Sequence, residues 1–400
     1  MKLHKNLCEA IIKGLDQVFI QDDHANQVVE QLLLSNKKWG ARDRNFIAEN
    51  LYSLIRYYRL YCYGAGITEI ISNGDEWRVL GVYFIDKGFD LPVWNEWSDI
   101  NVEDAKKLLA EGQTIRKIRE SVPDWLDDMG SKQLGDKWDE ELHALNQTAP
   151  MCIRINTLKA THQTVAEFLN TEEVEFSTSD SAPDAIIIHT KKNLRNSYAY
   201  KSGWFEIQDI SSQQVSRVLD PRPGMTVIDA CAGAGGKTLH IAALIQSKGE
   251  IIAMDVYAEK LKELETRARR NGASNIKTIL YVDGMEGQYR GEADRLLLDV
   301  PCSALGVLRR NPDTKWKLKP EVLDTLRRIQ QDLLDRYSIM VKAGGFMVYA
   351  TCSILPSENE QQIDAFISRH PEFEKLSESK IMPNESGGDG FYICKLIKNR

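Results

Sequence analysis

Residues 225–238 read MTVIDACAGAGGKT, and this stretch decides the fold. An apolar run of strand length, MTVIDA (225–230), passes straight into a turn carrying Gly233, Gly235 and Gly236. The apolar pattern LHIAALI (239–245) that follows reads as a buried helix. Strand, glycine turn and helix in that order let a ligand approach the backbone closely and meet the free N–H groups of a helix N-terminus. Downstream, EIIAMDV (250–256), KTILYV (277–282), RLLLDV (295–300) and FMVYAT (346–351) are further candidate strands. Helical patterns separate them, among them AEKLKELETRARRNG (258–272) and PEVLDTLRRIQQDLLDRYSIMVKAGG (320–345). This alternation predicts an α/β domain with a parallel, doubly wound sheet over residues 203–400. Pro320 and Gly344 stand as start and stop signals of the long helical pattern. Ser357-Glu358-Asn359-Glu360 fits a capping box for one more helix.

Upstream the texture differs. Cys8, Ile11, Ile12, Leu15 and Phe19, then Ile47, Leu51, Leu54, Ile55 and Tyr58, recur at helical spacing, so residues 1–145 read as a helical domain. The aromatic cluster of Trp77, Tyr83, Phe84, Trp94 and Trp97 is expected in its core. After the breaker cluster at 120–125, CIRINTLKA, QTVAEFLN and AIIIHT suggest strand, helix and strand, a small α+β domain over residues 146–202. The 400 residues are 42% hydrophobic and 27% charged, the balance of an ordinary globular chain. No apolar run is long enough for a signal peptide or a membrane span, which makes the cytoplasm the expected location. The seven widely spaced cysteines suggest neither a disulfide framework nor a zinc site, so no metal is expected. A net charge of −7 excludes a generally basic coat, and any nucleic-acid contact must come from local patches.

Three ligands compete for the glycine turn. A Walker A loop needs glycine where Cys231 stands, and the dinucleotide fingerprint needs glycine or alanine where Thr238 stands. S-adenosylmethionine uses the same kind of turn and carries no pyrophosphate. Asp255 closes the second strand, placed for ribose hydroxyls, and Asp283 follows the third, placed for an adenine amino group.

The fourth strand ends in Asp299-Val300-Pro301-Cys302 and the fifth in Thr351-Cys352-Ser353. Both ends lie on the side where ligands bind in such a sheet. Carbon 5 of cytosine is a poor nucleophile, and thiolate addition at carbon 6 makes it an enamine that accepts a methyl group. That chemistry needs a cysteine whose pKa is brought below its free value of about 8.5, an acid at ring nitrogen 3, and a base for the carbon 5 proton. Asp299 is the candidate acid; either cysteine can attack.

At these residues the chain resembles the Fmu/Sun-type (RsmB-like) RNA cytosine-5 methyltransferase family. The matching segments are GWFEIQDISSQ (203–213), DACAGAGGKT (229–238), DVPCSALGVLRRNPDTKW (299–316), YATCSILPSENE (349–360) and GGDGFYICKL (387–396). Weaker similarity reaches IRINTLK (153–159), and GARDRNFIAENLYSLIRYYRL (40–60) looks like a NusB-type RNA-binding domain. The resemblance implies a Rossmann-like class I methyltransferase domain, preceded by an all-α NusB-like domain and a small RRM-like α+β insert. It implies Cys352 as nucleophile, Cys302 as the residue assisting proton removal and product release, and Asp299 as the cytosine contact. Cys231, Ala232, Gly233, Ala234, Gly235, Gly236, Lys237, Asp255, Lys260, Asp283 and Asp299 would line S-adenosylmethionine. The family loop usually has proline where Ala234 stands.

RNA is the implied partner: small-subunit ribosomal RNA first, transfer RNA second, with a non-catalytic RNA-binding or assembly factor as the alternative of a different class. Arg309, Arg310, Lys315 and Trp316 lie in a basic stretch just after the fourth strand and are expected to contact it. A monomer is expected.

Overall fold

The computed structural model describes residues 2–67 and 75–399. The chain folds into two compact units, Met1–Gln147 with Leu308–Lys319, and Thr148–Val307 with Pro320–Arg400. No described helix is long and apolar enough to cross a membrane.

The first unit is helical. Lys5–Phe19 buries Leu7, Cys8, Ile11, Leu15 and Val18, the spacing of one apolar stripe. Ala41–Arg56 does the same with Phe46, Ile47, Leu51, Leu54 and Ile55. Val102–Gln113 starts where Asn101 accepts the N–H groups of Glu103 and Asp104 on its side-chain oxygen. Tyr83, Phe84 and Trp97 are core residues, and Trp77 and Trp94 pack against them, as the sequence suggests.

Residues 308–319 join this unit, and three of the side chains expected at RNA donate hydrogen bonds within it. A helix leaves its last carbonyls without partners, and cationic donors are favoured there. Lys315, fully buried, donates to Arg56 O (2.8 Å), Glu120 O (3.0 Å) and Asn146 Oδ1 (3.1 Å). Trp316 Nε1 donates to Ile55 O at 2.7 Å, and Arg309 donates to Ala144 O at 2.9 Å. The segment thus seals the C-terminal ends of Ala41–Arg56 and Lys137–Leu145. Lys315, Arg309 and Trp316 are structural donors within the helical unit. Arg310 is half-buried beside them.

The second unit holds two sheets. The smaller runs β2-β3-β1-β4, with β1 Met151–Ile155, β2 Phe176–Thr178, β3 Ala185–Ile188 and β4 Phe205–Ile207. All its pairings are antiparallel, and Ile153 pairs with both Ile186 and Ile207. β4 lies beyond residue 202, so the small sheet is completed by residues that the sequence alone places in the α/β part.

The larger sheet is built from β5 Thr226–Asp229, β6 Glu250–Asp255, β7 Ile276–Leu280, β8 Ala293–Asp299, β9 Val341–Thr351, β10 Phe373–Ile381 and β11 Phe391–Lys398. Its order is β10-β11-β9-β8-β5-β6-β7. The first five strands are parallel, while β11 lies antiparallel between β9 and β10. The central strands are buried without alternation: Leu296–Leu298 and Met347–Ala350 expose nothing, as strands covered on both faces must. β10, at the edge, shows solvent a row of charged and polar side chains that discourages further pairing. Gly344 does not end the long helix. That helix stops at Tyr337, and Gly344 sits inside β9 with φ +77°.

Buried ion pairs tie the small sheet to the large one. Glu206 in β4, 1% exposed, accepts from Arg267, Arg270 and Asn271 on the helix after β6. Asp184, just before β3, accepts from Arg217 (2.6 Å) and lies 3.2 Å from Nε2 of the buried His240. Burial together with nearby Arg154 and Arg217 pulls the His240 imidazole down to about 4.

Candidate active site

β5 has β6 on one side and β8 on the other, so the strand order reverses at its carboxyl end, where doubly wound sheets bind ligands. The residues singled out at strand ends converge there. Ala232 N–H donates to Met254 O at 2.9 Å, tying the glycine turn to β6. Asp255 holds that turn from above. Its Oδ2 accepts the Gly233 N–H at 2.7 Å, and its Oδ1 accepts the Tyr257 N–H at 2.9 Å. Gly233 and Gly235 adopt φ of +52° and +84°, a region costly for residues with a Cβ. A Cβ at Gly233 would meet nothing within 4 Å, so the turn leaves open space on that side. Ala234 lacks proline's rigidity, but its carbonyl is tethered by Arg267 Nη1 at 2.7 Å. Arg154, nearly fully buried, donates to Gly236 O at 2.6 Å and to Gln208.

S-adenosylmethionine fits these residues. Val256 and Val282, next to Asp255 and Asp283, are 59% and 61% exposed, apolar surface of the kind an adenine ring covers. Asp283 is held by Arg336 at 3.1 Å, which also contacts Glu286 and Asp332. Lys260 is exposed on the helix Ala258–Asn271 and makes no side-chain bond to the turn among the described residues. Cys231 is a protected thiol: burial first, then the carboxylates of Asp229, Asp299 and Asp255, push it well above its ordinary value. Asp229 beneath the turn accepts the Thr238 hydroxyl at 2.7 Å, and burial lifts its carboxyl to about 7.

At Gly235 a Cβ would stand 2.1 Å from Leu264 Cδ1, at a φ few side chains accept. Gly235→Ala is therefore expected to weaken S-adenosylmethionine binding about tenfold, or roughly 1.4 kcal/mol, by titration calorimetry. Unchanged affinity would mean that the turn is not the cofactor cradle.

On the other side of the switch point the two cysteines meet. Sγ of Cys302 and Sγ of Cys352 lie 3.4 Å apart, and both residues are partly exposed. The Cys352 sulfur, burial and the Glu358 carboxylate together raise the Cys302 thiol well above its ordinary value. Lys237, in the first turn of the helix Gly236–Leu244 that follows the glycine turn, donates to Asp299 Oδ2 at 2.5 Å and so links the glycine-turn side to the cysteine side. Burial would lower Lys237, but Asp299 outweighs it and the ammonium is held. Gly306 closes the far wall: its N–H donates to Cys352 O at 2.9 Å, and a Cβ there would lie 2.2 Å from Gly390 O.

Two features escape the sequence reading. Lys237 reads there as a cofactor residue only, and its pairing with Asp299 crosses 62 positions. Glu358 reads as part of a capping box. Instead Asn359 makes no side-chain cap, and Glu358 is buried with its carboxylate on Ser303 and Ser353. A hint is available in the sequence, because both serines directly follow the two cysteines.

This fold and this cluster of strand ends define an S-adenosylmethionine-dependent methyltransferase domain of the Rossmann-like class. Residues 216–397 match the family described as 16S rRNA methyltransferase RsmB/F, and residues 122–195 match the ferredoxin-like domain of RsmF/B-like methyltransferases. The chain is 35% identical over 303 residues to ribosomal RNA small subunit methyltransferase B of an Enterobacter species, covering 73% of this chain and 70% of that one. It is 34% identical over 302 residues to the probable ribosomal RNA small subunit methyltransferase B of Bacillus subtilis, covering 70% of this chain and 66% of the relative. The crystal structure of PH0851 matches over all of both chains with a TM-score of 0.85 and 25% identity. The chain belongs to the RsmB/F methyltransferase family.

Proposed function

We propose that this chain methylates carbon 5 of a cytosine in small-subunit ribosomal RNA, through a covalent bond between Cys352 and the base. The observation that carries the reading is the pair of sulfurs 3.4 Å apart beside the Lys237–Asp299 contact. The similar proteins named ribosomal RNA small subunit methyltransferase B support ribosomal RNA as the substrate class.

S-adenosylmethionine, when bound, supplies the electrophilic methyl group. The glycine turn and Asp255 would hold it beside the strand ends, with Asp283 and Val282 on the side of its base. Cys352 as thiolate adds to carbon 6 of the cytosine, moving electron density onto carbon 5. The Lys237–Asp299 pair holds a proton at ring nitrogen 3 as that bond forms. Once carbon 5 carries the methyl group, a water molecule takes the carbon 5 proton, the ring double bond returns, and the carbon–sulfur bond breaks with its electron pair going to Cys352, which leaves as thiolate. Cys302 assists this second half, since a thiol 3.4 Å away can hydrogen-bond the departing sulfur.

The test is tritium transfer from labelled S-adenosylmethionine to total RNA, followed by separation by size. Label in the 16S-sized RNA is expected. Label confined to transfer-RNA sizes would reassign the substrate, and none in any RNA would defeat the reading.

A further inference from the structure

Glu358 has no place in that chemistry, yet it is fully buried and its carboxylate has no cation against it among the described residues. Burying a carboxylate costs several kcal/mol unless hydrogen bonds satisfy it. Here four donors do so. Oε1 accepts the Ser303 N–H at 2.8 Å and the Gln330 amide at 3.1 Å; Oε2 accepts the hydroxyls of Ser303 and Ser353.

Those donors are placed around the two sulfurs. Ser303 follows Cys302 and Ser353 follows Cys352, while Gln330 also donates to Pro301 O at 2.9 Å, on the near side of Cys302. The neighbouring Asn359 repeats the arrangement for Cys352. Its Oδ1 accepts the Thr351 hydroxyl at 2.6 Å, and its amide donates to Ser353 O at 3.0 Å. Tyr349 in β9 fixes the brace itself by donating to Glu358 O at 2.7 Å. The residues flanking each cysteine are therefore tied to the segment Glu358-Asn359: Ser303 and Ser353 directly, Thr351 through its hydroxyl, and Pro301 by way of Gln330.

We propose that Glu358 is a positioning residue that braces the loops of Cys302 and Cys352 from beneath and holds their sulfurs within reach of each other. It touches neither base nor cofactor. Its charge also helps keep Cys302 as a thiol, the form needed to hydrogen-bond a departing sulfur. The inference rests on the proposed reaction for its purpose, but the brace itself is a property of the folded chain.

The test therefore has a readout that does not depend on methyl transfer. In the intact chain, diamide should oxidise Cys302 and Cys352 to a disulfide, two thiols losing two hydrogens that reduce the diazene bond to a hydrazine. Tryptic mapping gives the rate. Glu358→Ala is expected to slow this oxidation about tenfold and to lower kcat for methyl transfer about 100-fold, the scale of a misplacement near 1 Å. Its affinity for S-adenosylmethionine should stay within about twofold of the parent, because the glycine turn is not part of the brace. Glu358→Gln keeps the shape and folds more readily, but lacks the second acceptor, so it should fall between the two.

Unchanged oxidation and kcat in both variants would overturn the proposal. So would loss of cofactor binding in step with kcat in Glu358→Gln, which would make the residue a general strut. If the parent chain methylates no RNA, the reaction is wrong, while the oxidation rates still decide the brace.

Discussion

Cys352→Ala is expected to lower methyl transfer to RNA by at least about 10⁴-fold while leaving S-adenosylmethionine bound, since removing a nucleophile removes the whole covalent route. The side chain loses one sulfur from a partly exposed position beside a buried cluster. The stability cost should be about 1 kcal/mol, a small shift in the melting temperature. Single-turnover transfer with saturating cofactor separates the two effects. The rival is Cys302, 3.4 Å away and equally at a strand end. Were Cys302 the attacking sulfur, the alanine variant at 352 would retain a rate within reach of the parent.

The second large effect is expected at Lys237. Its side chain is 12% exposed, and the ammonium reaches Asp299, whose side chain is 28% exposed, at 2.5 Å and lies 5.2 Å from the centre of the Phe391 ring. Lys237→Met keeps the aliphatic stem against Phe391 but removes the proton and the charge. Asp299 is then left partly buried without its partner, on the path between the cofactor turn and the base. A fall in kcat of about 10³-fold is expected, within the range that general acid–base groups contribute. A variant with normal kcat and only a raised KM for S-adenosylmethionine would restrict Lys237 to cofactor binding.

Sequence and structure agree best where the signal is local. The run MTVIDA and its glycine turn, the acids ending β6 and β8, and the cysteines that follow Pro301 and β9 are all set by short-range pattern, because strand ends in a parallel sheet are marked by where apolar runs stop. The antiparallel hairpin of β10 and β11 is half hidden, since β10 at the edge alternates weakly and exposes most of its side chains. The basic stretch after β8 misleads for a different reason. Charge is visible in sequence, desolvation is not, and the acceptors of Lys315 come from Arg56, Glu120 and Asn146. Glu358 repeats the lesson with the opposite sign: a glutamate in a cap-like spacing turns inward because two serines, one of them 55 positions away, offer it hydroxyls.

The most direct measurement of the central claim is covalent trapping. Cys302→Ala and Cys352→Ala are each incubated with small-subunit RNA and S-adenosylmethionine, and the mixtures are run on a denaturing gel. A protein–RNA band of retarded mobility is predicted for Cys302→Ala, because addition proceeds and release is slow, and no band for Cys352→Ala. A band from Cys352→Ala, with none from Cys302→Ala, would contradict the assignment of the nucleophile.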